Sequence, residues 1–226
     1  MSRSIAGFFV SFLLILGVAL PGECESKYSR KLNDAREVVV EAMNAPGKAI
    51  PPALLRNCKA IAIFPGTIKA GFIVAGRYGE GIVMTRDTEG KWSAPAFFTI
   101  AGGSYGLQIG IQSMDVVLLI MNDRGLQALL KQKFTIGADV AVTAGPASVS
   151  GDADIDVFLK ADILSYTRSK GLFAGLAVNG ARMAASPNMN REFYGRKISV
   201  DEIIIHRSVD APAAASLKAT LETYAK

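Results

Sequence analysis

Apolar and polar residues follow two periods along this chain, three to four residues near the ends and two through the middle. Over residues 28–44, Leu32, Ala35, Val39, Ala42 and Met43 recur at three- and four-residue steps, while Lys31, Asp34, Glu37 and Glu41 lie off that stripe. The spacing predicts a helix, and Asn44, Pro46 and Gly47 end it. Two readings of this helix stand. It covers a sheet, or it is an amphipathic helix that meets a membrane, for which Lys27, Arg30 and Lys31 at its start are suited.

Pro51-Pro52 opens a short helical turn through Leu55, and from Cys58 to about Ala184 the pattern predicts mostly strands. Ala60–Phe64 is a short strand ended by Pro65-Gly66. Residues 70–77 and 81–86 form a hairpin around Tyr78-Gly79-Glu80, and Asp87–Lys91 is a turn. Residues 97–111 are glycine-rich strand material, and Val116–Met121 is a fully apolar strand. Asp123 caps a short helix over 125–132, residues 134–143 form a strand, and residues 155–167 and 172–183 form two longer strands. Pro187–Phe193 is a helical turn, residues 200–206 are ambiguous, and Asp210 caps a final helix with Pro212 in its first turn. Gly102, Gly103, Gly106 and Gly110 stand among strand residues, where glycine marks bends and close backbone approach. The expected fold class is α+β: a curved, glycine-rich, largely antiparallel sheet, barrel-like or sandwich-like, with N- and C-terminal helices packed on it.

The start of the chain changes the picture. Arg3 precedes an apolar run from Ile5 to Leu20, followed by Pro21-Gly22-Glu23-Cys24, the order of a secretory signal. The expected organisation is a signal peptide over residues 1–24 and a single domain over 25–226. A retained anchor is the other reading, although about 16 apolar residues is short for a span. Lipidation of Cys24 is disfavoured by Glu23 before it, and a Cys24–Cys58 disulfide requires that Cys24 be kept. The net charge is +5. Cleavage after Cys24 removes one cation, Arg3, and one acid, Glu23, and leaves it unchanged. A mild basic excess suits anionic phospholipid surfaces and is too scattered for nucleic acid.

The residues argue against catalysis. His206 is the single histidine, so no two-histidine metal site exists, and no G-x-S-x-G elbow accompanies it. Cys58 lies in an apolar segment that disfavours a thiolate. Gly76-Arg77-Tyr78-Gly79-Glu80-Gly81 reverses the dinucleotide fingerprint, and Gly102–Gly106 lacks the lysine of a phosphate loop. Asp152, Asp154 and Asp156 begin like a calcium loop, but Val157 and Ile163 occupy the next key positions. On a strand the same three would share one wet face. No enzyme activity, cofactor, metal or nucleotide is expected.

The basic residues are more suggestive. Arg168 and Lys170 sit in a predicted loop between two apolar strands, and Arg77 and Arg182 lie at other strand ends. Gathered on one rim, these ends make an anion-binding edge; scattered, they are ordinary solvated charge. The candidate lipid-binding residues are therefore Arg168, Lys170, Lys27, Arg30, Lys31, Arg77 and Arg182.

Three ordered blocks carry a resemblance. Trp92-Ser93-Ala94-Pro95-Ala96-Phe97 leads into Gly102-Gly103-Ser104-Tyr105-Gly106-Leu107-Gln108-Ile109-Gly110. Then follow Tyr166-Thr167-Arg168-Ser169-Lys170-Gly171-Leu172-Phe173-Ala174-Gly175 and Phe193-Tyr194-Gly195. In this order and spacing they resemble the SYLF domain family over about residues 35–207. The resemblance implies lipid binding, phosphoinositides in eukaryotic members, through an N-terminal amphipathic helix and basic residues. Some members bind actin filaments, an activity with no place in a bacterial envelope. The implied function is a non-catalytic module on anionic phospholipid, periplasmic or outer-membrane-associated. The alternative is a periplasmic structural or adaptor protein with a protein partner. Whether the three blocks are a fold signature or a binding site stays open in the sequence.

Overall fold

The computed structural model describes residues 26–46, 50–71, 74–105, 110–131, 133–146, 152–169, 172–175 and 178–226. The leader at 1–24, Cys24 and Lys170 lie outside the described residues.

The first helix, α1 (Lys27–Asn44), starts where Ser26 Oγ accepts from the Ser29 N–H. Tyr28, Leu32, Ala35, Val38, Val39, Ala42 and Met43 make one buried stripe. That stripe packs on the sheet and on the C-terminal helix α7 (Ala215–Tyr224). The sheet-covering reading of α1 is the observed one. A short helix α2 (Pro52–Asn57) follows, with proline at its first turn.

The sheet is curled into a half-barrel. Its strands are β1 (Ala60–Gly71), β2 (Val74–Thr85), β3 (Ala96–Tyr105), β4 (Gly110–Ile120), β5 (Lys133–Thr135), β6 (Val142–Ala144), β7 (Ile163–Ser169), β8 (Leu172–Ala174) and β9 (Arg182–Ala185). Their order is β5-β9-β3-β2-β1-β4-β7-β6, and β8 also pairs with β7. All described pairings are antiparallel except β6 with β7. The α+β expectation with a bent, mostly antiparallel sheet and helices at both ends describes the protein.

Several element boundaries differ from the sequence reading. Pro65-Gly66 do not end β1. They supply one extra residue where the register slips against both neighbours, and Gly66 takes φ +58°. Tyr78-Gly79-Glu80 is not a turn but the middle of β2, which runs from Val74 to Thr85. Its glycines permit packing: a Cβ on Gly79 would stand 2.3 Å from Thr67 Oγ1, and one on Gly81 would stand 2.1 Å from the Ile63 carbonyl oxygen. Residues 97–105 belong to β3 and 110–111 to β4, with 106–109 outside the described residues, and Val116–Ile120 is the buried half of β4 with Met121 just beyond it.

The helix expected at 125–132 is α3 (Asp123–Leu130), and its cap is Asn122, whose side chain accepts from the Gly125 N–H. Residues 155–159, read as the start of the strand 155–167, belong instead to α4 (Asp152–Leu159), which precedes β7. The alternate spacing of Asp152, Asp154 and Asp156 therefore defines no strand face. The expected strand at 134–143 reduces to β5 and the start of β6, and that at 172–183 to β8 and the start of β9.

Toward the C-terminus come α5 (Pro187–Tyr194) and α6 (Val200–Ile204), which resolves the ambiguous 200–206 stretch as a helix with a Ser199–Glu202 capping box. A 3-10 turn at Pro212–Ala214 precedes α7. Asp210 does not cap that turn by a side-chain bond to its interior; its carboxylate accepts from the next N–H, Ala211, and pairs with Lys218. No helix among the described residues is long and apolar enough to cross a membrane.

Candidate functional site

Strand alternation sorts the basic residues onto two faces of the sheet. Lys31 of α1 pairs with Glu80 at 3.1 Å, so Glu80 and Tyr78 point to the α1 side of β2 and Arg77 points away. Register extends this face: Tyr78 opposes Ile68 and Ala101, and Ala101 opposes Arg182. Arg168 is on the α1 side too, opposite Asp115.

Arg168 is engaged by two acids and a ring. Its Nε donates to Asp115 Oδ2 at 2.7 Å, its Nη1 pairs with Glu41 of α1, and its guanidinium carbon lies 5.7 Å from the Phe173 ring centre. Asp115 Oδ1 accepts from the Gly66 N–H at 2.9 Å, at the β1 bulge. Burial pushes the Asp115 carboxyl up, the Gly66 N–H pulls it down, and the Asp34 charge adds to the rise. The ion pair with Arg168 favours the ionised form against that burial. One guanidinium thus ties α1 to β4 and β7. Beside it a cleft of about 320 Å³ is lined by Val40, Glu41, Asn44, Leu172 and Phe173 among others.

The other candidates separate. Lys27 bonds Glu192 of α5 at 2.6 Å, and Tyr28 donates to the same oxygen, so the α1 start is tied down by an acid. These bonds hold the Glu192 carboxyl below its usual range. Arg30 and Arg182 are exposed and have no ion-pair partner among the described residues. Arg30 on α1 and Arg182 on β9 belong to different elements.

Arg77 is different. Its Nε and Nη1 are buried and find no hydrogen-bond partner among the described residues, and burial lowers its pKa. Directly across the β1–β2 ladder, on the same face, stands Lys69; Gly102 lies opposite on β3 and Gln112 opposite Lys69 on β4. Neither cation has an ion-pair partner among the described residues. Like charges opposed in a ladder repel, and an anion between them would relieve that repulsion. A hairpin centred on Tyr78-Gly79-Glu80 hides Lys69 from the sequence candidates. Centred between Gly71 and Val74, the same sequence sets Lys69 against Arg77.

Several described residues of the three sequence blocks are core or packing residues, while 106–109 and 170–171 of those blocks lie outside the described residues. Trp92 is buried, Ser93 Oγ accepts from the Thr85 N–H, and the Pro95 carbonyl accepts from Tyr194 Oη at 2.7 Å. Phe97, Tyr28 and Phe193 pack edge to face, with ring centres 5.0–5.6 Å apart. Tyr166 lies under Gly145, where a Cβ would stand 2.1 Å from the ring. Cys58 is buried with Sγ donating to the Leu55 carbonyl, and burial pushes its thiol up to about 12. His206 is exposed. Among the described residues no three His, Cys, Asp or Glu side chains gather as a metal site. A second cleft, about 490 Å³, lies between α5 and α6 with Arg191, Lys197 and Ile198 in its wall.

The family described as Ysc84, Las17-binding protein actin regulator, matches residues 101–224. The chain is 32% identical over 207 residues to SH3 domain-containing YSC84-like protein 1 of Homo sapiens, covering 91% of this chain and 60% of that protein. It is 33% identical over 181 residues to Protein YSC84 of Saccharomyces cerevisiae, covering 79% of this chain and 38% of that one. To LAS seventeen-binding protein 3 of the same species it is 34% identical over 181 residues, covering 79% of this chain and 39% of that protein. The chain thus spans about 60% of the length of the animal relatives and under half that of the yeast ones. None of these names states a catalytic activity. A family match over more than half the chain, together with identity above 30% across most of it, makes this chain a member of the Ysc84 (SYLF) domain family.

Proposed function

We propose that this protein is a non-catalytic module that binds anionic phospholipid at a membrane surface of the bacterial envelope, periplasmic or outer-membrane-associated. One observation carries the reading: among the described residues Lys69 and Arg77 oppose each other without an acid, and two buried guanidinium nitrogens of Arg77 have no hydrogen-bond partner. A phosphate oxygen supplies both the missing charge and the missing acceptor. The envelope location is supported by the leader-like order of residues 1–24.

Co-sedimentation of the protein with neutral and anionic vesicles, at low and high salt, tests this. Binding is expected to anionic vesicles alone and to fall with salt. Lys69→Gln with Arg77→Gln is expected to weaken it roughly thirtyfold, at about 1 kcal/mol per surface cation. A protein that ignores anionic vesicles at low salt overturns the proposal.

A second reading is a structural or adaptor protein with a protein partner. It is favoured by the family description and by a yeast relative's name, both of which state binding to Las17. It replaces the first if vesicles leave the protein in the supernatant while one defined protein partner retains it.

A further inference from the structure

The exposed large apolar side chains are not scattered. Among the described residues they are Ile68, Tyr78, Ile111, Val157, Leu172 and Ile205, and four of the six lie at one end of the sheet. This is the end where β1 passes to β2, β3 to β4 and β7 to β8: Gly71 opposes Gly110, Val74 opposes Tyr105, and Ser169 opposes both Met114 and Leu172. Ile68 and Tyr78 are directly opposed, 52% and 54% exposed, and Ile111 on β4 faces the same way at 79%.

Cations flank this end on both faces. Arg182 lies on the Tyr78 face, one strand beyond Ala101, and Lys69 with Arg77 lies on the reverse. An apolar end between cations that have no ion-pair partner among the described residues matches the layering of an anionic bilayer, with phosphates above the acyl boundary. A soluble anion would use the cations and leave three exposed apolar side chains without purpose. The apolar stripe of α1 cannot serve instead, because it is buried against the sheet and α7.

We infer that this hairpin end of the sheet inserts into the interfacial layer of an anionic membrane: Ile68, Tyr78 and Ile111 enter between headgroups while Lys69, Arg77 and Arg182 hold the phosphates. The inference rests on the phospholipid reading above and assigns the contact to a sheet end in place of the N-terminal helix.

The test uses phosphatidylglycerol–phosphatidylcholine vesicles and two variants. Ile68→Ser, Tyr78→Ser and Ile111→Ser combined keeps every charge and alters only exposed positions. It is expected to weaken binding roughly tenfold or more, with the loss persisting in high salt, and with an unchanged thermal unfolding curve. Tyr78→Trp places a fluorophore at the end, and Trp92, which is buried, supplies a constant background measured in the parent protein. The emission of the introduced indole is expected to shift to the blue on vesicle binding and to be quenched by lipids brominated on the acyl chain. Should the serine variant fail to fold, that emission decides alone. Parent protein that binds these vesicles, with the introduced indole neither shifted nor quenched, overturns the inference and leaves the phospholipid reading standing. Parent protein that does not bind defeats both. A dimer in solution that the serine substitutions dissociate, with vesicle binding intact, overturns the inference in favour of a second copy of this chain.

Discussion

Arg168 and Asp115 form a bond that joins β7 to β4, with Nε 2.7 Å from Oδ2 and the second carboxylate oxygen held by the Gly66 N–H, while Arg168 Nη1 reaches Glu41 of the N-terminal helix. Asp115 is buried, so the pair cannot be opened without leaving a carboxylate inside. Arg168→Ala is expected to lower stability by about 2 kcal/mol, discounted from the cost at a fully buried pair because the Arg168 side chain is partly exposed. Urea unfolding measures it. An Arg168→Ala, Asp115→Asn double variant should recover part of the loss, because the neutral amide leaves no charge to bury.

Lys69→Gln should move stability in the other direction. Removing one of two opposed cations relieves repulsion worth a few tenths of a kcal/mol, and the gain should fade as salt screens it. Unfolding curves at low and high ionic strength report it. Together with weaker vesicle binding, the expected result is a more stable, less active protein. Equal stability at all salt concentrations would show that an acid already neutralises the pair.

The strand glycines separate by what lies beside them. A Cβ on Gly76 meets nothing within 4 Å, whereas one on Gly81 meets the Ile63 carbonyl oxygen at 2.1 Å. Gly76→Ala is expected to stay within about 0.5 kcal/mol of the parent. Gly81→Ala is expected to cost roughly 1–3 kcal/mol, because backbone must shift to admit the methyl. Thermal melts of the two variants check the contrast.

The Cys58 thiol should be inert in the folded protein. With its pKa pushed up to about 12 by burial, the reactive thiolate at pH 8 is a fraction of about 10⁻⁴. Alkylation by iodoacetamide is expected to be slow in buffer and fast in denaturant. Raising the pH toward 10 should accelerate the native reaction about tenfold per unit for as long as the fold holds.

The sequence by itself determined the parts that local periodicity controls. The stripe through Leu32, Ala35, Val39 and Ala42 specified α1 to within a residue, and the apolar run Val116–Ile120 specified the buried half of β4. The ordered blocks pointed to the family, and tertiary structure divided them: Trp92, Phe97 and Tyr166 are core, while Leu172 of the second block stands exposed. Tertiary structure also decided everything that depends on which strand lies beside which. Gly79 and Gly81 look like turn residues in isolation, yet they are strand because β1, with its extra residue at Pro65-Gly66, presses on them. Residues 152–159 carry too little pattern to fix a period, and α4 packs against α2 from far along the chain. The pairing of Lys69 with Arg77, the capture of Arg168 by Asp115 and Glu41, and the gathering of Ile68, Tyr78 and Ile111 at one sheet end are relations of register. Register depends on where a turn falls, and a short shift in the turn exchanges every partner along a strand. Charge and hydropathy could be read from the chain; which charges were neutralised, and which apolar groups were left in solvent, followed only from the assembled sheet.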